Sequence, residues 1–240
     1  LGYYFLTIKL FYPLSIIFRL ISNYRRQKLS KTSWKAPVKT IVVGNITVGG
    51  NGKTPFVIWL ANVLKKNGYK PGIVSRGYKS ISKKFPLSVD LDTQVYSSGD
   101  EAKIIFNSTQ CPLVIGPKRV DSSKYLLDNF DCDVLITDDG LQHYALGRDI
   151  EIAMVDGIKK FGNKLMLPAG PLREPIKRLD EVDFIINTNS FCNDESERKQ
   201  NEFLMSYKPI SWVNICSKRI YEIHDWPYQK MVHAVAGISN

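Results

Sequence analysis

The sequence is poor in the residues that hold structural metals and covalent cross-links. Its 240 residues include three histidines and four widely spaced cysteines, Cys111, Cys132, Cys192 and Cys216. No two cysteines form a C-x-x-C pair, which argues against a zinc site or a disulfide framework and fits a reducing cytosol. Acidic residues are missing from positions 1–40, where Lys9, Arg19, Arg25, Arg26, Lys28, Lys31, Lys35 and Lys39 supply +8 of the formal charge of +10, leaving +2 for the rest. The basicity therefore belongs to one segment and not to a folded surface, which disfavours nucleic acid as a partner. Long apolar runs are also missing. The longest, Leu10 to Phe18, has nine residues, against the ~20 a spanning helix needs. Asn23-Tyr24-Arg25-Arg26-Gln27-Lys28 follows the apolar stretch where a signal peptide would carry small residues. There is no internal repeat and no low-complexity tract. A guanine-reading N-K-x-D is absent too, since the nearest stretch, Asn187-Thr188-Asn189-Ser190, lacks both Lys and Asp.

Residues 1–24 are instead aromatic and aliphatic, interrupted by Lys9, Pro13 and Arg19. This pattern predicts a helix lying in a membrane interface, with a basic collar that anionic headgroups attract. The competing expectation is a helix packed on the core. The first residue is Leu1 and not Met, so the start is expected to be trimmed. Three regions are expected: an interfacial helix and collar over 1–36, a core over 37–190, and a linker with an incomplete C-terminal lobe over 191–240.

Within the core, strand and helix patterns alternate. Strands are expected at Val38–Val43, Ile73–Ser75, Leu113–Ile115, Val134–Thr137, Glu151–Val155 and Phe184–Asn187. Helices are expected at Thr54–Lys66, Glu101–Asn107 and Lys118–Asn129. Such alternation builds an α/β fold with a mainly parallel sheet flanked by helices, and ligands sit beyond the carboxyl ends of its strands. Residues 190–207 are polar and read as an exposed helix or linker. Ser211–Ile223 alternates like a strand of an antiparallel or second-lobe sheet, and Met231–Ala236 reads as one more strand.

Between the first strand and first helix lies Gly44-Asn45-Ile46-Thr47-Val48-Gly49-Gly50-Asn51-Gly52-Lys53-Thr54. A strand, a glycine-rich turn, then Lys and Thr opening a helix is the arrangement of a P-loop. Backbone N–H groups of residues 47–54 would cradle nucleotide phosphates, Lys53 would add a point charge, and Thr54 a hydroxyl for Mg²⁺. The strict spacing wants Gly at position 47, where this chain has Thr47. A strand ending in Asp138-Asp139 is how such proteins place a carboxylate near the metal, and two adjacent side chains on one turn diverge. Transfer to a hydroxyl also needs a base and cations. Three loops offer them: Ser98-Gly99-Asp100-Glu101, Asp139-Gly140-Leu141-Gln142-His143, and Gly170-Pro171-Leu172-Arg173-Glu174-Pro175. Each has a structural alternative. Asp100 could cap its helix, His143 could be a satisfied structural residue, and Arg173 could pair with Glu174.

Taken together, the VVGNITVGGNGKTP loop, Ile73-Val74-Ser75-Arg76-Gly77-Tyr78, Gly99-Asp100-Glu101, TDDGLQH at 137–143, LPAGPLREP at 167–175 and the terminal AVAGISN resemble the tetraacyldisaccharide 4′-kinase family over the whole chain. Thr47 is that family's form of the loop. The resemblance implies ATP- and Mg²⁺-dependent phosphorylation of the 4′-hydroxyl of a tetraacylated glucosamine disaccharide in lipid A biosynthesis. It implies a peripheral enzyme at the cytoplasmic face of the bacterial inner membrane, with no nucleic acid and no obligate protein partner. It makes Asp100 the catalytic base, with Lys53, Asp139 and His143 in the catalytic set. It puts Thr54, Glu101 and Asp138 near the metal, and Ser75, Arg76, Arg119, Gln142, Arg173 and Glu174 on the acceptor side. It also implies that a His partner of Asp100 lies beyond Asn240, since His224 and His233 precede the last motif, and that this piece is inactive alone. The alternatives are another membrane-associated P-loop ATPase and a non-enzymatic module binding nucleic acid through the basic arm.

Overall fold

A computed structural model describes residues 2–189 and 200–225, with side chains in the first helix from residue 10 onward. Helix α1 spans Gly2–Lys31 and precedes β1 (Lys39–Gly44), α2 (Lys53–Lys66) and β2 (Pro71–Ser75). Then come β3 (Leu87–Val89), α3 (Val95–Ser98), α4 (Asp100–Thr109), β4 (Leu113–Ile115), α5 (Arg119–Asn129) and β5 (Val134–Thr137). β6 (Ile150–Asp156), a 3₁₀ turn (Ile176–Asp180), β7 (Phe184–Thr188) and β8 (Glu202–Met205) complete the main sheet region, followed by β9 (Ser211–Val213) and β10 (Ile220–Glu222).

Eight strands form one sheet in the order β3-β4-β2-β5-β1-β6-β7-β8. Only the β3–β4 pairing is antiparallel; β1 lies between β5 and β6, parallel to both. Successive side chains on a strand point to opposite faces, and this alternation sorts the core. Ile41, Val43, Ile73, Ile136, Ile152 and Met154 face one layer with Phe56, Val57 and Ala61 of α2 and Ala102 and Ile105 of α4. Their neighbours Val74, Val114 and Leu135 face Leu126 of α5 on the other side. At the β1–β6–β7 end, Val42, Ala153, Val155 and Ile185 meet Leu141, Met166, Leu172 and Leu179. Truncating a fully buried member such as Ile136 would cost about 2–5 kcal/mol.

Helix α1 touches this body sparingly. Ser15 is buried, donating to the Met166 carbonyl at 2.8 Å and accepting from the Ala169 N–H at 3.0 Å. Phe18, like Phe161 and Ile176, packs against the cluster that holds Leu172 and Leu179. Leu10, Leu14, Ile16, Ile17, Leu20 and Ile21 stay exposed, so a helix packed wholly on the core is not what forms. Among the described residues no helix is long and apolar enough to cross a membrane.

Two readings of the sequence need correction. Residues 202–205 are neither helix nor linker: β8 pairs parallel with β7 and extends the main sheet past residue 190. Ser211–Ile223 is not one strand but two, β9 and β10, paired antiparallel around a turn in which Lys218 N–H bonds the Asn214 carbonyl. Met231–Ala236, His233, Cys192 and the terminal AVAGISN lie outside the described residues.

Candidate active site

The site gathers at the carboxyl ends of β1, β2 and β5. β1 runs into the loop at Gly44, and α2 begins at Lys53. Gly52 caps that helix at φ 72, a left-handed conformation that a Cβ disfavours, and a Cβ there would run into the Tyr207 hydroxyl. The loop is also laced to a second segment. Val48 N–H bonds the Pro171 carbonyl at 2.8 Å, and Arg173 N–H bonds the Ile46 carbonyl at 2.7 Å. Thr47, standing where the strict pattern has glycine, accepts a 2.8 Å hydrogen bond from the buried Asn51 amide. Its hydroxyl ties two points of the loop together, which a glycine could not do. Asn45 Nδ2 donates to the Gly49 carbonyl at 3.4 Å. Val48 is exposed on the outer side, and Gly50 lies between these anchors.

After β5 the chain turns sharply, with Asp139 at φ 51 and Gly140 N–H bonded to the Val43 carbonyl at 2.9 Å. Asp tolerates this left-handed position better than most residues. The turn sends the two carboxylates apart. Asp138 is buried and accepts from Ser75 Oγ at 3.1 Å through Oδ2, while its Oδ1 has no hydrogen-bond partner. Burial, then repulsion from Asp139, pushes its pKa up. Asp139 instead sits 3.6 Å from the Lys53 ammonium and 3.1 Å from Arg173 Nη1. Burial alone would push Asp139 up, but Lys53 and Arg173 outweigh it and hold its pKa below the usual carboxylate value.

Asp100 is the first residue of α4, after Gly99 as N-cap at φ 84. A Cβ at Gly99 would strike the Tyr78 carbonyl, so the glycine lets Asp100 lie against the end of β2. No side chain caps this helix, and the exposed Asp100 carboxylate makes no hydrogen bond to a described residue. It is therefore available for chemistry and does not serve as a cap. Glu101 beside it has a raised pKa, from burial first and then from Asp138.

The acceptor-side candidates divide. Arg173 and Glu174 do not pair with each other. Adjacent residues on an extended segment point opposite ways, and Glu174 turns inward to accept from Gln142 Nε2 at 2.6 Å and from the Tyr144 hydroxyl. Gln142 Nε2 also reaches the Asn45 carbonyl at 2.9 Å. Arg119 is buried and bonds the carbonyls of Gly116 at 2.7 Å and Asp138 at 3.1 Å, with burial lowering its pKa to about 10. Its head thus cross-links two loops from behind. Arg76 is exposed at the end of β2, and Ser75 is buried against Asp138. His143 is half-buried, its pKa pushed down to about 4 by burial first and by Arg119 next, so it is neutral at physiological pH.

Sequence reasoning missed Tyr207, which reaches the P-loop from beyond β8. It also missed a charged cluster behind Glu174. Arg178 is 2% exposed and pairs with Glu151; its Nε lies 3.5 Å from Glu174 Oε2. Arg148 Nη1 bonds Glu151 at 2.8 Å. A buried arginine carries no sequence signal that separates it from a surface one.

A parallel sheet whose central strand feeds a phosphate loop, with a strand-end aspartate beside its lysine, defines a P-loop nucleotide-binding protein. Residues 7–240 match the family described as tetraacyldisaccharide-1-P 4′-kinase, and the chain belongs to it. It is 49% identical over 218 residues to a tetraacyldisaccharide 4′-kinase of Vibrio cholerae, covering 90% of this chain and 62% of that one. It is 49% identical over 231 residues to one of Nitrosococcus oceani, covering 95% of this chain and 66% of that one. The LpxK of Aquifex aeolicus, solved in complex with ATP, superposes with a TM-score of 0.73 at 30% identity, covering 86% of this chain and 66% of that one. The chain therefore spans just under two thirds of the length of these relatives.

Proposed function

We propose that the complete protein transfers the γ-phosphoryl group of ATP to the 4′-hydroxyl of a tetraacylated glucosamine disaccharide, a step in lipid A assembly. One observation carries this reading: Lys53, Asp139 and Arg173 form a charged set at the mouth of the phosphate loop, with the unbonded Asp100 on the neighbouring helix. Phosphoryl transfer asks the protein mainly for positioning and charge stabilisation. Backbone groups of residues 47–54 hold phosphate. Lys53 and Arg173 balance charge on the transferring group, and Asp139 holds both cations in place. Asp100 accepts the proton of the attacking hydroxyl. Arg76, exposed at the end of β2, and Gln142 orient the acceptor, while Ser75, Arg119 and Glu174 fix the groups around them.

Mg²⁺ fits this site, because the buried Asp138 Oδ1 is an orphaned oxygen ligand. Thr54, Asp138 and Glu101 would hold it, and it would neutralise phosphate charge.

The acceptor is a lipid, and α1 offers the means to meet it. Exposed Leu10, Leu14, Ile17 and Ile21 enter the interface, and Arg25 and Lys28 behind them attract anionic headgroups. On this reading the enzyme works peripherally, at the cytoplasmic face of the inner membrane. The test uses the full-length protein, radiolabelled ATP and the lipid disaccharide. Asp100→Ala should lose most turnover while still binding ATP. Undiminished turnover would remove Asp100 from the mechanism, and release of phosphate to water without lipid labelling would favour a P-loop ATPase.

A further inference from the structure

A cavity of about 310 Å³ lies between the carboxyl-terminal end of α1 and the segment that joins β5 to β6. Arg26, Ser30, Ser33, Lys35, Tyr144 and Arg148 line it, with Glu151 and Arg178 in its wall. Two guanidinium groups lie over the Tyr144 ring, Arg26 at 5.5 Å and Arg148 at 4.7 Å from its centre.

Charge around the cavity is unevenly committed. Arg148 is satisfied by Glu151 and by the carbonyls of Leu141 and His143. Arg26 pairs with Glu181. Arg178 is almost fully buried, yet its Nη1 has no hydrogen-bond partner, the nearest carboxylate being Glu181 at 3.8 Å. A buried guanidinium N–H left unbonded is expensive; this one is enclosed, so it lends positive charge to the cavity wall and not a contact. The lining hydroxyls of Ser30 and Ser33 and the exposed Lys35 ammonium also make no hydrogen bond to a described residue. Against four lining cations stands one lining carboxylate, Glu151. The lining itself is positive, and Glu174, Glu181 and Asp149, which faces Lys35, stand outside it.

We propose that this cavity binds a phosphate anion, carried on the headgroup of a lipid in the surface on which α1 lies. Guanidinium forks and short hydroxyls match phosphate oxygens better than a carboxylate. Position selects the lipid source over free phosphate. The exposed apolar stretch of α1 ends near Ile21, and Arg26 and Ser30 follow at ~1.5 Å per residue, so they lie within about two turns of it. With α1 lying in the interface, this keeps the cavity alongside the headgroup layer. None of the residues lining the cavity belongs to the phosphate loop. The headgroup source rests on the membrane reading of α1.

The test titrates the full-length protein by calorimetry with soluble dihexanoyl phosphatidic acid and, separately, with inorganic phosphate. Lys53→Ala is present throughout to silence the phosphate loop. One phosphatidic acid should bind more tightly than inorganic phosphate, and Arg26→Ala with Lys35→Ala should weaken it at least tenfold with the thermal midpoint little changed. If Arg26→Ala alters the fold, Lys35→Gln with Ser33→Ala, confined to exposed and half-exposed positions, should still weaken it several-fold. Inorganic phosphate binding as tightly as the lipid would overturn the headgroup source. Affinity unchanged by both sets of variants would overturn the site. Sedimentation with anionic liposomes separates the two readings: if α1 carries membrane binding without this cavity, the variants sediment while losing the phosphatidic acid site. If the protein does not sediment at all, the reading of α1 itself fails.

Discussion

Arg173 reaches both oxygens of the Asp139 carboxylate through one nitrogen, Nη1, at 3.2 and 3.1 Å. The same carboxylate faces Lys53. Arg173 is thus held on the phosphate side of the loop by a residue that also sets the lysine. Arg173→Ala should lower kcat of the full-length enzyme by about 10²-fold, the scale of losing one charge-stabilising donor, and change ATP affinity only a few-fold. Radiolabelled transfer and nucleotide titration on the same preparation check this. A loss in ATP affinity alone would assign Arg173 to ground-state binding.

Gly52 has two independent reasons to be glycine, its left-handed backbone and the Tyr207 hydroxyl. Gly52→Ala should therefore weaken ATP binding by an order of magnitude or more. Adding Tyr207→Phe removes the collision with the hydroxyl but leaves the 3.1 Å approach to Thr188 Cγ2 and the backbone cost of about 1 kcal/mol, so the double variant should recover part of the affinity. No recovery would place the whole defect in the backbone and the Thr188 contact.

His143 resists protonation when folded, down to a pKa of about 4, against an ordinary value near ~6.5. Between these values the unfolded chain binds a proton that the folded chain refuses. The stability from neutral His143 is fully present above ~6.5 and declines as pH falls toward 4. His143→Gln should flatten this acid limb, removing about 1–2 kcal/mol of the difference between pH 7 and pH 5. Urea unfolding at both pH values measures it; identical slopes for the two proteins would mean His143 does not titrate in this range.

Glu151 joins Arg148 and Arg178. Glu151→Ala takes the shared carboxylate from both cations, one of them buried, leaving Arg148 on the Leu141 and His143 carbonyls and Arg178 beside Glu174, and should destabilise by roughly 3 kcal/mol. The urea midpoint should fall with no change in the urea dependence of the unfolding free energy.

Deleting residues 2–24 removes the exposed apolar side chains of α1 together with the Ser15 and Phe18 contacts. The shortened protein should no longer sediment with anionic liposomes. Sedimentation equal to that of the intact protein would mean another surface carries the association.

The sequence announces an element clearly when its pattern is local. β1, the loop and α2 share one contiguous stretch in which strand, glycines, lysine and helix follow in order. β8 does not announce itself, because four residues on the sheet edge follow a polar tract and borrow their strand character from pairing with β7. The same holds for β3, three residues long against β4. In the site, Asp138 and Asp139 are adjacent in sequence, yet their opposite environments come from Ser75, Lys53 and Arg173. Glu174 bonds residues some thirty positions away. Partners of that kind become visible only when the strands are side by side.

The placement of β1 has a consequence for how the molecule is made. Its hydrogen-bonding neighbours are residues 134–137 and 150–153, roughly a hundred positions downstream. At synthesis rates of ~5–20 residues per second, the strand that launches the phosphate loop waits on the order of 5–20 seconds for either edge to be covered. Throughout that interval α1, with its apolar side chains, is already outside the ribosome. On the membrane reading proposed for α1, a nascent chain that meets a bilayer during the wait has these side chains covered before its sheet exists, and capture and sheet closure follow one another as steps of one maturation.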